Sequence, residues 1–262
     1  MTLPDIQLIN HVSRAAGKAI LEIYGQDFAV QHKEDDSPLT QADLASHNHI
    51  VAALQELTPQ IPVLSEESAD IPWEERRQWQ RYWLIDPLDG TREFVKRNGE
   101  FTVNIALIEE GLPVLGVVHV PVTGTTYFGD IENGAFRQEN GAAAEPIQVT
   151  RPCARPLRIA GSRSHAGDSL KQFLARLPEH TMVSMGSSLK LCLVAEGKAD
   201  IYPRLGPTSE WDTAAAQAVV EAAGGQVTDT RLQRLRYNQK ESLLNPYFLV
   251  FGDNSIDWKA WL

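Results

Sequence analysis

The residues best placed to do chemistry lie in the stretch Trp83–Thr91, WLIDPLDGT. Tyr82-Trp83-Leu84-Ile85 is apolar and aromatic with no helical spacing, which predicts a buried strand. It runs into Asp86-Pro87-Leu88-Asp89-Gly90-Thr91, so two carboxylates three residues apart sit where a strand meets a turn. Pro87 removes one backbone donor and fixes φ, and Gly90 lets the backbone approach a ligand closely. Thr91 opens a short predicted helix, Thr91-Arg92-Glu93-Phe94-Val95, whose first amides point at an anion. Carboxylates for a hard cation beside free amides for a phosphate make a metal-assisted phosphoryl site. Alone, the hexapeptide reads equally well as an acidic surface turn, because Asp-Pro and Asp-Gly are common turn dipeptides.

Two further acidic points decide between these readings. Ser65-Glu66-Glu67-Ser68 ends a short apolar run, and Trp211-Asp212-Thr213-Ala214-Ala215 opens an Ala-rich helical pattern. By itself Asp212 is a first-turn carboxylate favoured by the helix dipole. Taken together, Glu66, Asp86, Asp89 and Asp212 all fall at the edge of a predicted strand or helix, where α/β sheets gather their sites. If they converge, their repulsion must be relieved by protonation or by divalent cations. Oxygen-only ligation argues for Mg²⁺ rather than Zn²⁺. Glu67 reads either as a partner of a cation-bound water or as an exposed side chain. Cys153 and Cys192 form no CxxC and no metal spacing, so they read as reduced thiols in core or surface positions. No Ser–His or Cys–His pairing offers a rival nucleophile.

The elements that position these groups follow from periodicity. Residues 4–24 are predicted helical, with Ile9, Val12, Ala16, Ala19, Ile20 and Ile23 on one face and Gly25 as the stop. Phe28-Ala29-Val30 is a predicted short strand. A second helix is predicted to start with Thr40 as N-cap and Asp43 at the third position, burying Leu44, Ile50, Val51, Leu54 and Leu57. Ile61–Leu64 is a predicted strand, and residues 70–81 a solvated connector. Residues 101–108, 114–120 and 125–128 are β-rich with turns between them, which predicts an antiparallel meander, and Asn133-Gly134 and Asn140-Gly141 are hairpin signals. The proline-bearing stretch 146–156 marks a predicted boundary between an N-terminal α+β unit (1–150) and a C-terminal α/β unit (151–262). Beyond it strands (157–160, 181–185, 199–202, 247–251) alternate with helices (169–177, 187–196, 211–223, 256–262).

Composition bounds the function. The chain has 262 residues and a formal net charge of −10, which disfavours a nucleic-acid polymer as partner. Its apolar runs fall far short of a membrane span. The start MTLPDIQLINHVSRAAG lacks a basic segment followed by an apolar core, so no secretory signal is predicted and a cytoplasmic protein is expected. Peripheral association with the cytoplasmic face of an inner membrane stays open, although no basic amphipathic helix demands it. The sequence does not fix the oligomeric state. An acidic protein with an anionic substrate needs local positive charge, from metal ions or from placed Lys and Arg.

Asp43, the Ser65-Glu66-Glu67 triplet, the Asp86–Thr91 hexapeptide and Trp211–Ala215, in this order, resemble the inositol monophosphatase superfamily of lithium-sensitive, magnesium-dependent phosphatases. Within it, Lys33–Asp43 (KEDDSPLTQAD), Ser162–His165 (SRSH), Gly186–Lys190 (GSSLK) and Tyr202-Pro203-Arg204 are similar to the 3'(2'),5'-bisphosphate nucleotidases. The resemblance implies an α/β (α+β) fold, a layered α-β-α-β-α sandwich. It implies hydrolysis of the 3'-phosphate of adenosine 3',5'-bisphosphate to AMP, with the sulfated nucleotide as a further substrate, in support of sulfur assimilation. Two to three Mg²⁺ ions are implied. Glu66, Asp86 and the Leu88 carbonyl would hold one, and Asp86, Asp89 and Asp212 a second. The Gly90 and Thr91 amides would take phosphate oxygens, Thr91 and Asp43 would orient the attacking water, and Glu66 would hold a third ion through waters. Ser162, His165, Ser187, Lys190 and Arg204 are the candidates for the nucleotide and its second phosphate. An inositol or other sugar monophosphate on the same metal site is the alternative substrate. A non-catalytic cation or polyphosphate binder is the alternative from another class.

Overall fold

The computed structural model describes residues 2–26, 38–161 and 167–262, with only the backbone of residues 38 and 39. Helix α1 (Ile6–Tyr24) begins where the Asp5 carboxylate accepts the Gln7 N–H. It ends at Gly25, whose amide donates to the Leu21 carbonyl. Helix α2 (Pro38–Leu57) starts at a proline, two residues before the predicted N-cap Thr40, which therefore lies inside the helix. Its buried face is Ala42, Asp43, Ser46, Ile50 and Leu54. Leu44 and Leu57, predicted to be buried, fall beside that stripe and are 41% and 40% exposed. The predicted strand 28–30 lies outside the described residues.

The next elements build one sheet. They are β1 (Val63–Ser65), a short helix α3 (Trp73–Arg76), β2 (Arg81–Asp89), a short helix α4 (Thr91–Val95), β3 (Thr102–Glu109), β4 (Leu112–Val120), β5 (Thr125–Asp130), β6 (Gly134–Gln138) and β7 (Glu145–Ile147). The strands stand in chain order; β1 and β2 are parallel and every later neighbour is antiparallel. The predicted three-stranded meander is thus present as β3 to β5, and the antiparallel run continues through β2 on one side and β6 and β7 on the other, β6 lying between the two predicted hairpin turns. The connector at 70–81 is not simply solvated. It carries α3, and Arg76 is buried there, donating to Asn238 Oδ1 at 2.7 Å and to the Lys240 and Glu241 carbonyls. A partner more than 160 residues away leaves no local pattern.

Strand period sorts the core. Trp83 and Ile85, with Val103, Ile105 and Leu107, pack against Ile9, Ala16 and Ile20 of α1 and Ile50 and Leu54 of α2. Tyr82 and Leu84, with Ala106 and Ile108, face the opposite way. That second face meets a middle layer of two helices from the second half of the chain.

The second half comprises β8 (Leu157–Gly161), α5 (Asp168–Arg176), β9 (His180–Ser184), α6 (Leu189–Ala195), β10 (Ile201–Arg204), α7 (Trp211–Ala222), β11 (Gln226–Asp229) and β12 (Phe248–Phe251). Its sheet has the order β11-β12-β10-β8-β9. The β10/β8 and β8/β9 pairs are parallel, and β12 is antiparallel to both its neighbours. β11 has no counterpart among the predicted strands. Residues 258–261 form a 3-10 turn rather than the predicted terminal helix, pinned by the fully buried Trp258, whose indole N–H donates to the Asp253 carbonyl. Leu157, Ile159, Ile201 and Leu249 pack with Phe173 of α5 and Trp258 on the outer face of this sheet. On its inner face Tyr202, Phe248 and Val250 join the α6/α7 cluster.

The result is a layered α-β-α-β-α sandwich. Its middle helix α7 lies very close to the first sheet. A Cβ on Gly116 of β4 would stand 2.1 Å from the Ala215 carbonyl oxygen and 2.7 Å from the Ala218 Cβ. Glycine on the strand and alanine on the helix are what this approach requires. It brings the N-terminal end of α7 over the acidic end of β2.

Candidate active site

The Asp86–Asp89 segment stays in β2 but slips register. Asp86 pairs with Asn104 and Asp89 with Thr102, so three steps on one strand match two on the other. Residues 102 and 104 share one face of β3. The bulge therefore turns both aspartates to the same side, the side that α6 and α7 cover. An unbroken strand would have sent them to opposite faces. The chain is held in this shape locally: the Leu88 N–H donates to Asp86 Oδ1 at 3.1 Å, and the Ser46 hydroxyl of α2 donates to the Pro87 carbonyl at 2.8 Å. Asp43 lies one turn earlier on α2 and so enters the same neighbourhood.

Four elements thus deliver carboxylates to one region: Asp43 from α2, Glu66 from the turn after β1, Asp86 and Asp89 from β2, and Asp212 from the first turn of α7. Their mutual influence is strong. Asp86 is buried, and burial followed by the charges of Asp89, Glu66, Asp212 and Asp43 pushes its carboxyl well above the usual range. Burial, then Glu67 and Glu66, push Asp43 up to about 8. Loss of water, then Asp89 and Glu67, push Glu66 up to about 7, while a hydrogen bond shared with Asp86 pulls it back. Burial and Asp89 push Asp212 up to about 7, although the Ser209 N–H donates to its Oδ2 at 2.9 Å. Asp43 Oδ1 is buried with no hydrogen-bond partner.

These are the signs of carboxylates gathered for a countercharge. Among the described residues, no three Asp, Glu, His or Cys side chains close on one point as a finished ligand cage. The chemistry of the donor set still fits a hard divalent cation: Glu66, Asp86, Asp89 and Asp212 offer oxygen donors only, in a field that opposes their ionisation, and the orphaned buried oxygen of Asp43 lies in the same neighbourhood. The His47 imidazole is hydrogen-bonded to Ser65 Oγ at 2.8 Å and burial lowers its pKa. Burial pushes the Cys192 thiol up, and burial also pushes Cys153 up to about 12, so neither is a thiolate.

A cleft of about 560 Å³ opens beside the cluster, lined among others by Asp89, Gly90, Lys190, Tyr202, Arg204 and Asp212. Gly90 is left-handed at φ 100°, and an added Cβ would sit 3.2 Å from the Glu100 carbonyl oxygen. From it α4 begins, as predicted, with no side-chain cap on its first amides. Arg204 donates through Nη2 to the Pro207 carbonyl at 2.6 Å, and its buried Nε has no partner. Ser187 is at the cleft wall, its hydroxyl 2.5 Å from Asp89 Oδ2. Lys190 lines the cleft but is buried, with its ammonium on the Ser187 carbonyl at 2.5 Å and the Met185 carbonyl at 3.4 Å. Ser162 and His165 lie outside the described residues.

Sequence reasoning passed over Glu93, Glu100, Ser188 and Thr102. Glu93 lines the cleft, and Glu100 accepts the Gly186 N–H at 2.8 Å. The Ser188 N–H donates to Asp89 Oδ2 at 2.6 Å, and Thr102 Oγ1 stands 3.5 Å from the same oxygen. Serine pairs and a lone threonine are too common for a local signal to single these out.

Comparisons with known proteins match this architecture over nearly the whole chain. The model of the inositol monophosphatase family matches residues 4–251. A 3'(2'),5'-bisphosphate nucleotidase CysQ from Salmonella typhimurium is 52% identical over 247 residues, covering 94% of this chain and 98% of the relative. The protein of the same name from Escherichia coli K12 is 53% identical over 242 residues, 91% and 96% of the two chains. Among solved structures, CysQ from Bacteroides thetaiotaomicron superposes with a TM-score of 0.83 at 41% identity, covering 92% of this chain and 94% of that one. An inositol monophosphatase from Zymomonas mobilis shares the fold, with a TM-score of 0.78 at 23% identity over 98% and 95% of the two chains.

Proposed function

The chain belongs to the inositol monophosphatase family, and we propose that it is a 3'(2'),5'-bisphosphate nucleotidase that hydrolyses the 3'-phosphate of adenosine 3',5'-bisphosphate to leave AMP. The observation that carries this reading is one acidic cluster opening into a cleft that also holds Arg204. The cluster serves the reacting phosphate and the arginine the other one. Identity above one half to nucleotidases over more than nine-tenths of the chain supports it. We extend the same reading to the sulfated nucleotide as a further substrate.

We assign Glu66, Asp86, Asp89, Asp212 and the Leu88 carbonyl as ligands for two to three Mg²⁺ ions, with Asp86 shared. Bound there, such ions supply an activated water and neutralise charge on the phosphoryl group and the departing alkoxide. The chain does the rest. The Gly90 and Thr91 amides hold phosphate oxygens at the start of α4. The Thr91 hydroxyl and the Asp43 carboxylate accept hydrogen bonds from the attacking water, opposite the 3'-oxygen that leaves. Ser187 and Arg204 take the nucleotide side, with Ser162, His165 and Lys190 as further candidates from sequence. Residues 1–150 supply most of the acidic set, and residues 151–262 complete it with Asp212 and bring the nucleotide contacts. No described helix is long and apolar enough to cross a membrane. We place the enzyme in the cytoplasm.

The test is phosphate release from adenosine 3',5'-bisphosphate, 3'-AMP and inositol 1-phosphate side by side, for the parent and Arg204→Ala. The bisphosphate is expected to be the preferred substrate of the parent. A charge-assisted bond to phosphate contributes about 1.5–3 kcal/mol, or roughly ten- to a hundredfold. Arg204→Ala should lose that much in kcat/KM on the bisphosphate and little on 3'-AMP. Equal losses on both would place Arg204 on the reacting phosphate, and preference for inositol phosphate would overturn the reading.

A further inference from the structure

The loop between Arg204 and Asp212 is held from outside by a segment of distant sequence. Residues 243–245 lie antiparallel to residues 208–210. The Asn245 N–H donates to the Thr208 carbonyl and the Glu210 N–H to the Leu243 carbonyl, each at 2.8 Å, with Ser209 bridged to Leu244 between them. This segment is itself fixed: buried Arg76 grips the Lys240 and Glu241 carbonyls, and the Asn238 N–H donates to Glu210 Oε2 at 2.8 Å. From it the Asn245 side chain reaches to both sides of Asp212 in the chain. Its Nδ2 donates to the Ser209 carbonyl at 2.7 Å and to Thr213 Oγ1 at 3.0 Å, with Thr208 Oγ1 at 3.3 Å. A carbonyl only accepts, so the Ser209 contact fixes which end of the amide points inward. Asn245 Oδ1 is buried without a partner, so the side chain acts through its donors alone. Ser209, which accepts from Asn245, donates its own N–H to Asp212 Oδ2 at 2.9 Å.

We infer that Asn245 is a positioning residue for Asp212: by holding Ser209 before it and Thr213 after it, the amide keeps the Ser209 N–H on one carboxylate oxygen and leaves the other for the cation. This rests on Asp212 being a cation ligand, as proposed above. Asn245 itself does not line the cleft. Groups that orient a ligand change metal affinity by about 10- to 100-fold when removed, and Asn245, acting through Ser209, belongs at the lower end. Because Asp212 serves the reacting phosphate, the effect should be the same on substrates with one phosphate or two.

The experiment is a titration of the protein with Mn²⁺ as the probe, followed by electron paramagnetic resonance without nucleotide, for the parent and Asn245→Leu, which keeps the approximate shape and removes the donors. The variant should bind Mn²⁺ about tenfold more weakly. At sub-saturating Mg²⁺ its kcat/KM should fall by the same factor, within about twofold, on the bisphosphate and on 3'-AMP, and both losses should shrink as Mg²⁺ is raised. All measurements are made well below the variant's Tm, so that lost stability alone moves none of them. Parental Mn²⁺ affinity with only a lowered Tm would make Asn245 a support of the fold and overturn the inference. A loss confined to the bisphosphate would place it on the nucleotide and overturn it as well. Should Asn245→Leu not fold, Asn245→Asp keeps the polar shape without the donors. Its added carboxylate would by itself attract the cation, so weaker Mn²⁺ binding there supports the inference and parental or tighter binding overturns it. A parent that binds Mn²⁺ but leaves the bisphosphate intact would defeat the proposed function, and the Mn²⁺ comparison would still decide the inference. A parent that binds no Mn²⁺ would remove Asp212 as a ligand, and the inference with it.

Discussion

Asp86→Asn should lower kcat on the bisphosphate by about a thousandfold while leaving the protein folded. Asp86 is the most deeply buried of the clustered carboxylates, and Asp89, Glu66, Asp212 and Asp43 all bear on its charge. On the proposed assignment, a group in that position is a ligand to the cations of the cluster. Neutralising it removes charge from the shared point, and cation stabilisation of a phosphoryl transition state is of the order of several kcal/mol. About 4 kcal/mol corresponds to roughly a thousandfold in rate. Stability should move the other way. Asparagine keeps the oxygen that accepts the Leu88 N–H and relieves a buried repulsion, so the cation-free variant should melt at or above the parent temperature. Steady-state kinetics with a thermal melt reads both. A kcat within tenfold of the parent would remove Asp86 from the shared position.

The second large effect is a pH dependence of stability that divalent cations reverse. In the unfolded chain the three carboxyls titrate near 4. In the fold Asp43 is pushed up to about 8, and Glu66 and Asp212 to about 7, burial being the leading cause in each. Between those limits the folded protein holds more protons than the unfolded chain, so stability falls as pH rises from about 4 to about 8. The histidines act oppositely at the lower end. Burial lowers the pKa of His47, and that of His119 to about 4, so their effect ends near 6.5. Glu210, pushed up to about 7 by burial, adds to the fall but lies outside the proposed ligand set. The clean window is therefore pH 6.5 to 8. With a chelator present, Tm should fall by several degrees across it, a 1 kcal/mol change corresponding to about 2–4 °C in a chain of roughly this size. Millimolar Mg²⁺ should raise Tm more at pH 8 than at pH 6.5, because protons and cations compete for the same oxygens. A chelated Tm that is flat or rising over this window, or an Mg²⁺ effect larger at pH 6.5, would contradict the clustering.

Much of this site was legible in the chain because its parts are local. Gly90 carries its own turn chemistry and α4 begins at Thr91 as predicted, although the strand runs on to Asp89 rather than ending before Asp86. The apolar run of β2, the β-rich runs of β3 to β5 and the strand-helix alternation after residue 157 marked most of the strands, β11 excepted. What was not legible depends on distant partners. The bulge between Asp86 and Asp89 is a matter of register against Thr102 and Asn104, and no single strand displays its register. Arg76 reads as a surface charge until the 238–241 segment arrives to bind it. Lys190 and Ser187 look like a polar helix start, and only the fold shows that the lysine faces inward and the serine is left-handed. Leu44 and Leu57 look like core because apolar residues fit a helical stripe at either edge, and the packing surface decides which edge is covered.

The most direct test of the central claim is to follow adenosine 3',5'-bisphosphate and the purified protein by phosphorus NMR, with Mg²⁺ and with a chelator. With Mg²⁺ the 3'-phosphate resonance should vanish as inorganic phosphate and AMP grow in equal amounts, the 5'-phosphate should persist, and the chelated sample should not change. Loss of the 5'-phosphate, hydrolysis undiminished by the chelator, or an unaltered bisphosphate with Mg²⁺ present would contradict the claim that this acidic cluster is a cation-dependent 3'-phosphatase site.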